Sequence, residues 1–161
     1  MFPEWVDLLG RARNSRSMGS PLRRRFTAVG NKIGVWLYRV SDGRAGGGAH
    51  KVLLMTVPGR RTGLPRATCM RYLEHEGGYL VWGTASGATR DPDWFHNLRA
   101  SETADVQVGG DHHTVWRREL TDEERDRVWR DVVLARVPGV ARYERKAHRT
   151  IPVALLTPKA G

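Results

Sequence analysis

The sequence predicts a mainly β chain with peripheral helices, folded as a small barrel, and three observations carry that expectation. Short apolar runs bounded by Gly, Pro and Asp recur six times. The connections between them are mostly of hairpin length, and helical periodicity is confined to a few stretches outside the runs. At 161 residues, 40% apolar with 6 Trp, the chain is long enough for one buried core and too apolar for a disordered one. The expected organisation is a flexible basic N-terminal leader over residues 1–20 and a single domain over 21–161.

Each element has a local reason. Ser20-Pro21 reads as a cap and first helical position, and Phe26, Val29, Ile33, Leu37 and Val40 follow at helical spacing, with Trp36 and Tyr38 widening the apolar face. Four glycines within Ser41–His50 then make a connection into the apolar run Val52–Val57, a buried first strand. Ala67 to Leu73 is the second strand, Glu76-Gly77-Gly78 the bend, and Tyr79 to Thr84 the third, forming an antiparallel meander. Ala85-Ser86-Gly87-Ala88-Thr89 is a small-residue loop. After it, Asp91 is expected to cap a short helix that begins at Pro92.

Asp105–Val108 and His112–Glu119 flank Gly109-Gly110-Asp111, a strong hairpin signal. Thr121 and Glu124 match a capping box, and the helix they open is expected to bury Val128, Val132 and Ala135, with Trp129 and Val133 beside them. Pro138-Gly139 breaks that helix, and a shorter basic helix runs from Val140 to about Ala147. Ile151–Thr157 closes the chain as a strand, Pro152 placing it at an edge or at a strand start.

Composition narrows the function classes. The net charge of +10 favours anionic partners such as phosphates, acidic substrates or an anionic membrane surface. Only 4 of the 27 basic residues are Lys, an Arg bias that base composition alone can produce. Cys69 stands alone, which excludes an intrachain disulfide and suits a reducing cytoplasm. Glu4 and Asp7 interrupt the N-terminal apolar stretch, so neither a signal peptide nor a membrane span is expected. Residues 1–25 pair apolar with basic side chains, so contact with the inner face of the cell membrane is an expectation beside that of a frayed terminus. The six histidines show no ligand spacing, and no metal is expected. Hydrolase, phosphate-loop and dinucleotide-fold signatures are missing, and no aromatic-basic strand pattern points to nucleic acid.

What remains is a turn that carries three arginines. Pro58-Gly59 and Gly63-Leu64-Pro65 constrain the chain around Arg60, Arg61 and Arg66, whose planar forks suit phosphate or carboxylate. A solvated basic hairpin tip is the plainer alternative. Together with the small-residue loop and Trp94, the turn has the makings of a site for a planar anionic cofactor, although Trp94 taken singly reads as core.

The ordered set Gly59-Arg60-Arg61-Thr62-Gly63-Leu64-Pro65-Arg66, Ala85-Ser86, Pro92-Asp93-Trp94-Phe95-His96-Asn97-Leu98 and Arg149-Thr150-Ile151-Pro152 resembles the deazaflavin-dependent nitroreductase family. The resemblance implies a split β-barrel of the FMN-binding, flavin-reductase type that uses reduced coenzyme F-420, a deazaflavin. The implied activity is hydride delivery to a small hydrophobic acceptor: a quinone, a nitroaromatic or an activated alkene. It further implies that Arg60, Arg61 and Arg66, with Thr62 and Gly63, hold the phosphate and polyglutamate tail. Ala85, Ser86, Trp94 and Asn97 would meet or border the ring, and the hydroxyl of Ser86 or Tyr143 would act on the acceptor. A homodimer is expected, since such barrels often pair.

Two departures bear on substrate and coenzyme. Tyr143 stands alone where the nitroreductase branch has several tyrosines, Val137 and Val140 replacing aromatics, and the loop after Ser86 is shorter and carries no Lys. The reading from a different class is a non-catalytic barrel module for a lipid or fatty acyl ligand, or for an anionic membrane surface.

Overall fold

The computed structural model describes residues 51–160 together with Val35 and Tyr38. Seven strands form one antiparallel sheet: β1 (Val52–Pro58), β2 (Pro65–Arg71), β3 (Leu73–His75), β4 (Gly78–Trp82), β5 (Thr103–Val108), β6 (Asp111–Leu120) and β7 (Val153–Pro158). Their order is β2-β1-β5-β6-β7-β4-β3. The two ends of that order, β2 and β3, are separated in the chain by Tyr72 alone, so the sheet is curled round into a split barrel. The second expected strand, Ala67 to Leu73, is therefore two: it pairs with β1 up to Arg71 and with β4 from Leu73. Tyr72 at the bend is buried, its ring edge-on to Tyr79 at 5.2 Å. That burial, followed by the charge of Glu74, pushes its phenol up to about 12.

Alternation along the strands sorts the core. Leu53, Met55 and Val57 of β1, Val106 of β5, Val115 of β6 and Leu156 of β7 fill the barrel, together with Phe95 and Leu98 from the short helix α1 (Asp93–Arg99). The opposite faces of β4 and β7, with Leu80, Trp82, Val153 and Leu155, pack against a helical layer. That layer is α2 (Asp122–Val128), a wider turn over Trp129–Leu134, and α3 (Ala141–Ala147). Strands covered on both sides read as unbroken apolar runs, which is why Ile151–Leu156 shows no alternation.

Three sequence expectations are corrected here, and one choice between two alternatives is resolved. Thr121 makes no side-chain capping bond, and Glu124 instead accepts from Arg118 Nη1 at 2.7 and 2.9 Å. The wide turn after Val128 rotates the following face, so Val133 and Val137 are buried while Ala135 is exposed. β7 starts immediately after Pro152, yet it lies between β6 and β4 and is not an edge. Asp91 does not cap α1, whose preceding position is Pro92 without a side-chain bond. The leader at residues 1–20 and the Gly-rich connection lie outside the described residues, as does most of the helix expected over Ser20–Val40. Val35 and Tyr38 are helical and buried against Leu54 on the outer face of β1. The Tyr38 hydroxyl donates to Val52 O at 2.8 Å and accepts from Gly109 N–H at 3.1 Å.

Candidate active site

The arginine turn is rigid for local reasons. Gly59 N–H bonds Leu64 O at 2.8 Å and Gly63 N–H bonds Gly59 O at 2.7 Å, a closure that requires φ of +68° at Gly63. A side chain at Gly59 would stand 3.0 Å from Thr62 Oγ1 and 3.2 Å from Arg66 Nε, so Arg66 folds back across the turn. Arg60 goes the other way, to α1. Its Nη1 donates to Asn97 Oδ1 at 2.9 Å, its Nη2 to Asp93 Oδ1 at 3.1 Å, and its own N–H to Asn97 Oδ1 at 3.2 Å. Asn97 is 8% exposed, and its carbonyl oxygen is thus taken up in fixing the turn. The three guanidiniums are consequently not equivalent. Arg60 is engaged with α1, whereas Arg61 and Arg66 are exposed and meet no carboxylate among the described residues.

The small-residue loop has an unusual backbone. Ala85, Ser86 and Gly87 are all left-handed, with φ of +47°, +54° and +78°. For the two non-glycine residues this costs about 1 kcal/mol or more each. Thr84 is right-handed, so Thr84-Ala85 forms the paired conformation in which successive N–H groups converge on an anion or carbonyl oxygen. Among the described residues no acceptor takes the N–H of Ala85 or Ser86, and Ser86 is exposed. Gly87 is required for a second reason: a Cβ there would lie 2.7 Å from Lys146 Cδ. Lys146, on α3, reaches over this glycine and donates to Ser86 O at 3.2 Å. A cation missing from the loop's own sequence therefore arrives from 60 residues away.

Trp94 is half-buried, its ring 5.2 Å from Phe95 and tilted by 57°, so it borders both the core and the surface of α1. Tyr143 is half-buried on α3, and its hydroxyl accepts from Arg142 Nη2 at 2.8 Å. That bond leaves the phenolic proton free to be donated elsewhere. α3 packs on the Ala85–Gly87 turn, so Tyr143 and Lys146, three residues apart, project from adjacent turns of one helix face.

The two halves of the site are joined through α1. Its first turn and Asn97 hold Arg60, and the residue before Pro92, Asp91, accepts from Arg149 at 2.7 Å and from Arg99 at 3.3 Å. Arg99 continues to Glu119, with bonds of 2.6 and 2.8 Å. The bonds from Arg99 hold the Glu119 carboxyl below its ordinary value despite partial burial. Sequence reasoning missed Asp91, Lys146 and Arg149 as site residues. The recurrence of Arg149-Thr150-Ile151-Pro152 in the ordered motif set was the available signal for one of them.

Among the described residues the split barrel thus presents two exposed arginines that meet no carboxylate and, separately, a turn whose Ala85 and Ser86 N–H groups meet no acceptor. The fold places the chain in the split-barrel class of the flavin-reductase type. The family model for the F420H(2)-dependent quinone reductase matches residues 31–158, and the chain belongs to that family. It is 31% identical over 126 residues to an F420H(2)-dependent quinone reductase of Mycobacterium tuberculosis, covering 75% of this chain and 85% of that protein. Among solved structures it is similar to an F420-H2 dependent reductase at 30% identity and a TM-score of 0.59, covering 66% of this chain and 93% of the other. A further neighbour, solved as a domain-swapped dimer, has 27% identity and a TM-score of 0.60 over 78% of this chain and 96% of the other. The haem storage protein HutZ of Vibrio cholerae, at 12% identity and a TM-score of 0.52 over 70% of this chain and 84% of the other, shares the fold.

Proposed function

We propose that this chain reduces a small hydrophobic acceptor, a quinone foremost among quinones, nitroaromatics and activated alkenes, at the expense of reduced coenzyme F-420. The observation that carries the reading is the junction at α1, which holds Arg60 through Asn97 and is preceded by Asp91, the acceptor for the Arg149 guanidinium that also bonds the carbonyls around the left-handed residues. The donor set fits the coenzyme. Arg61 and Arg66 supply cations for the anionic tail, with Arg60, Thr62 and Gly63 shaping the turn that presents them. Ala85 and Ser86 offer N–H groups to the ring's oxygens, while Trp94 stands at the border of α1 and Asn97 acts behind Arg60.

When bound, the reduced deazaflavin supplies the hydride. The protein's task is then orientation and one proton. Ser86 Oγ and the Tyr143 hydroxyl are the groups assigned to the acceptor, Tyr143 the better donor because Arg142 polarises its oxygen. The paucity of tyrosines around Tyr143, with Val137 and Val140 buried in the core beneath, favours a flat apolar acceptor over a nitroimidazole. The decisive experiment follows oxidation of the reduced coenzyme by the purified chain against a panel of quinones, nitroaromatics and enones. Turnover with quinones supports the reading, and no turnover with any member removes it.

No helix among the described residues is long and apolar enough to cross a membrane. We place the enzyme in the cytoplasm and assign residues 1–25 to contact with the inner membrane face, on the strength of their mixed apolar and basic composition. Co-sedimentation with anionic liposomes, lost on deleting 1–25, tests this. A homodimer, suggested by the neighbour solved as one, is tested by sedimentation velocity.

A further inference from the structure

Arg149 is 14% exposed and lies at the centre of the loop that precedes α1. Its Nη2 donates to Gly83 O at 2.9 Å, to Arg90 O at 3.1 Å and more weakly to Thr84 O at 3.4 Å. Nε donates to Ala88 O at 3.0 Å, and Nη1 to Asp91 Oδ1 at 2.7 Å and Thr150 O at 3.3 Å. One guanidinium therefore gathers carbonyls from both sides of the left-handed turn at Ala85–Gly87, which holds only two backbone bonds of its own. A planar fork suits that task, since its donors are fixed relative to one another and a lysine offers a single point.

The consequence for the site follows from peptide geometry. A trans peptide sends its C=O and the following N–H in opposite directions, and there are no cis bonds among the described residues. Carbonyls of Gly83 and Thr84 turned towards Arg149 direct the N–H groups of Thr84 and Ala85 away from it, onto the face where no described acceptor meets Ala85. We infer that Arg149 is a positioning residue. It touches neither coenzyme nor acceptor, but it sets the strained turn so that its N–H groups face the coenzyme, and through Asp91 it couples that turn to α1. The inference rests on the coenzyme site proposed above.

The test uses the full chain and three readouts. Hydrogen exchange of the amides at 84–90 in Arg149→Ala is expected to quicken by about tenfold or more while the sheet keeps its protection, as expected for a local opening. Fluorescence titration with coenzyme F-420 is expected to show affinity weakened about tenfold or more, as when a charged bond network is removed. Methylguanidinium should restore both in Arg149→Ala and neither in Arg61→Ala, a rescue that general loss of structure would not give. Wild-type exchange and affinity in a folded Arg149→Ala protein would overturn the inference, as would failure of the rescue. Should that variant not fold, Arg149→Lys is expected to show intermediate exchange, and wild-type exchange there would overturn it equally. If the wild-type chain itself ignores the coenzyme, the proposed function falls, and the exchange arm alone decides whether Arg149 sets the turn.

Discussion

Arg60, Arg61 and Arg66 share a turn but not a role, and substituting each by alanine separates them. Arg60→Ala removes the bond from Nη1 to the buried Asn97 oxygen, while the backbone N–H at 60 still satisfies that oxygen. The accompanying ion pair adds little, because Asp93 is 87% exposed. One part-buried hydrogen bond is worth about 0.5–1.5 kcal/mol. For a chain of 161 residues that is a fall in Tm of about 1–6 °C. Arg61→Ala and Arg66→Ala remove exposed side chains with no described carboxylate partner, so their stability should stay within about 0.5 kcal/mol of wild type. Their loss should appear in coenzyme affinity, at about 1.5–3 kcal/mol each for a charged hydrogen bond, or roughly tenfold to over a hundredfold. Thermal melts without coenzyme and fluorescence titrations with it, run on the three variants in parallel, make the comparison. An Arg61→Ala melt lowered as far as that of Arg60→Ala, or unchanged affinity in both Arg61→Ala and Arg66→Ala, would refute the division of labour.

Three further outcomes are expected. Arg125, 7% exposed, donates to Ile151 O at 2.6 and 2.8 Å and to Glu144 at 3.1 Å, and Glu144 also accepts the Trp129 indole N–H at 2.8 Å. Arg125→Ala takes both side-chain donors from the buried Ile151 carbonyl, while Glu144 keeps the Trp129 indole, and should cost about 1–3 kcal/mol, read by chemical denaturation; an unchanged denaturation curve would show that the network is dispensable. Gly87→Ala forces a left-handed alanine into Lys146, with carbons at 2.7 and 3.0 Å. It should destabilise by about 1–3 kcal/mol and weaken coenzyme binding, and an unperturbed melt would contradict the tight approach. Glu119, held below its ordinary 4.5 by Arg99, contributes stability fully present above that value and lost as pH falls through the lower folded one. A Glu119→Gln variant should therefore lose less stability than wild type on acidification below that value, and parallel acid titrations would contradict this.

Much of the fold was legible because its signals are local. Breakers around Val52–Val57, Gly77 and Gly109-Gly110 mark strand ends directly, and the hairpins at Gly77 and Gly109 have the positive φ those residues permit. The split of β2 from β3 was not legible, since Tyr72 looks like any apolar strand residue and only closure of the barrel gives it a bend. Local patterns also misled where a distant partner won. Glu124 fits a capping box but is taken by Arg118, and Asp91 fits a cap but is taken by Arg149, 58 residues later. The same limit explains the site. The arginine turn was visible as a motif, whereas the arrival of Lys146 at Ser86 and the engagement of Arg60 by Asn97 depend on which helices the barrel brings to that end.

Coenzyme binding itself is the most direct measure of whether the two turns form one site. Titrating the purified chain into a fixed concentration of coenzyme F-420 at low and at high salt should give a saturable emission change of micromolar affinity. Added salt should weaken it, because the proposed reading assigns the tail to the guanidiniums of Arg61 and Arg66, which are exposed and so open to screening. Emission that stays constant at the highest protein concentration, at either salt, would contradict a coenzyme site at this end of the barrel.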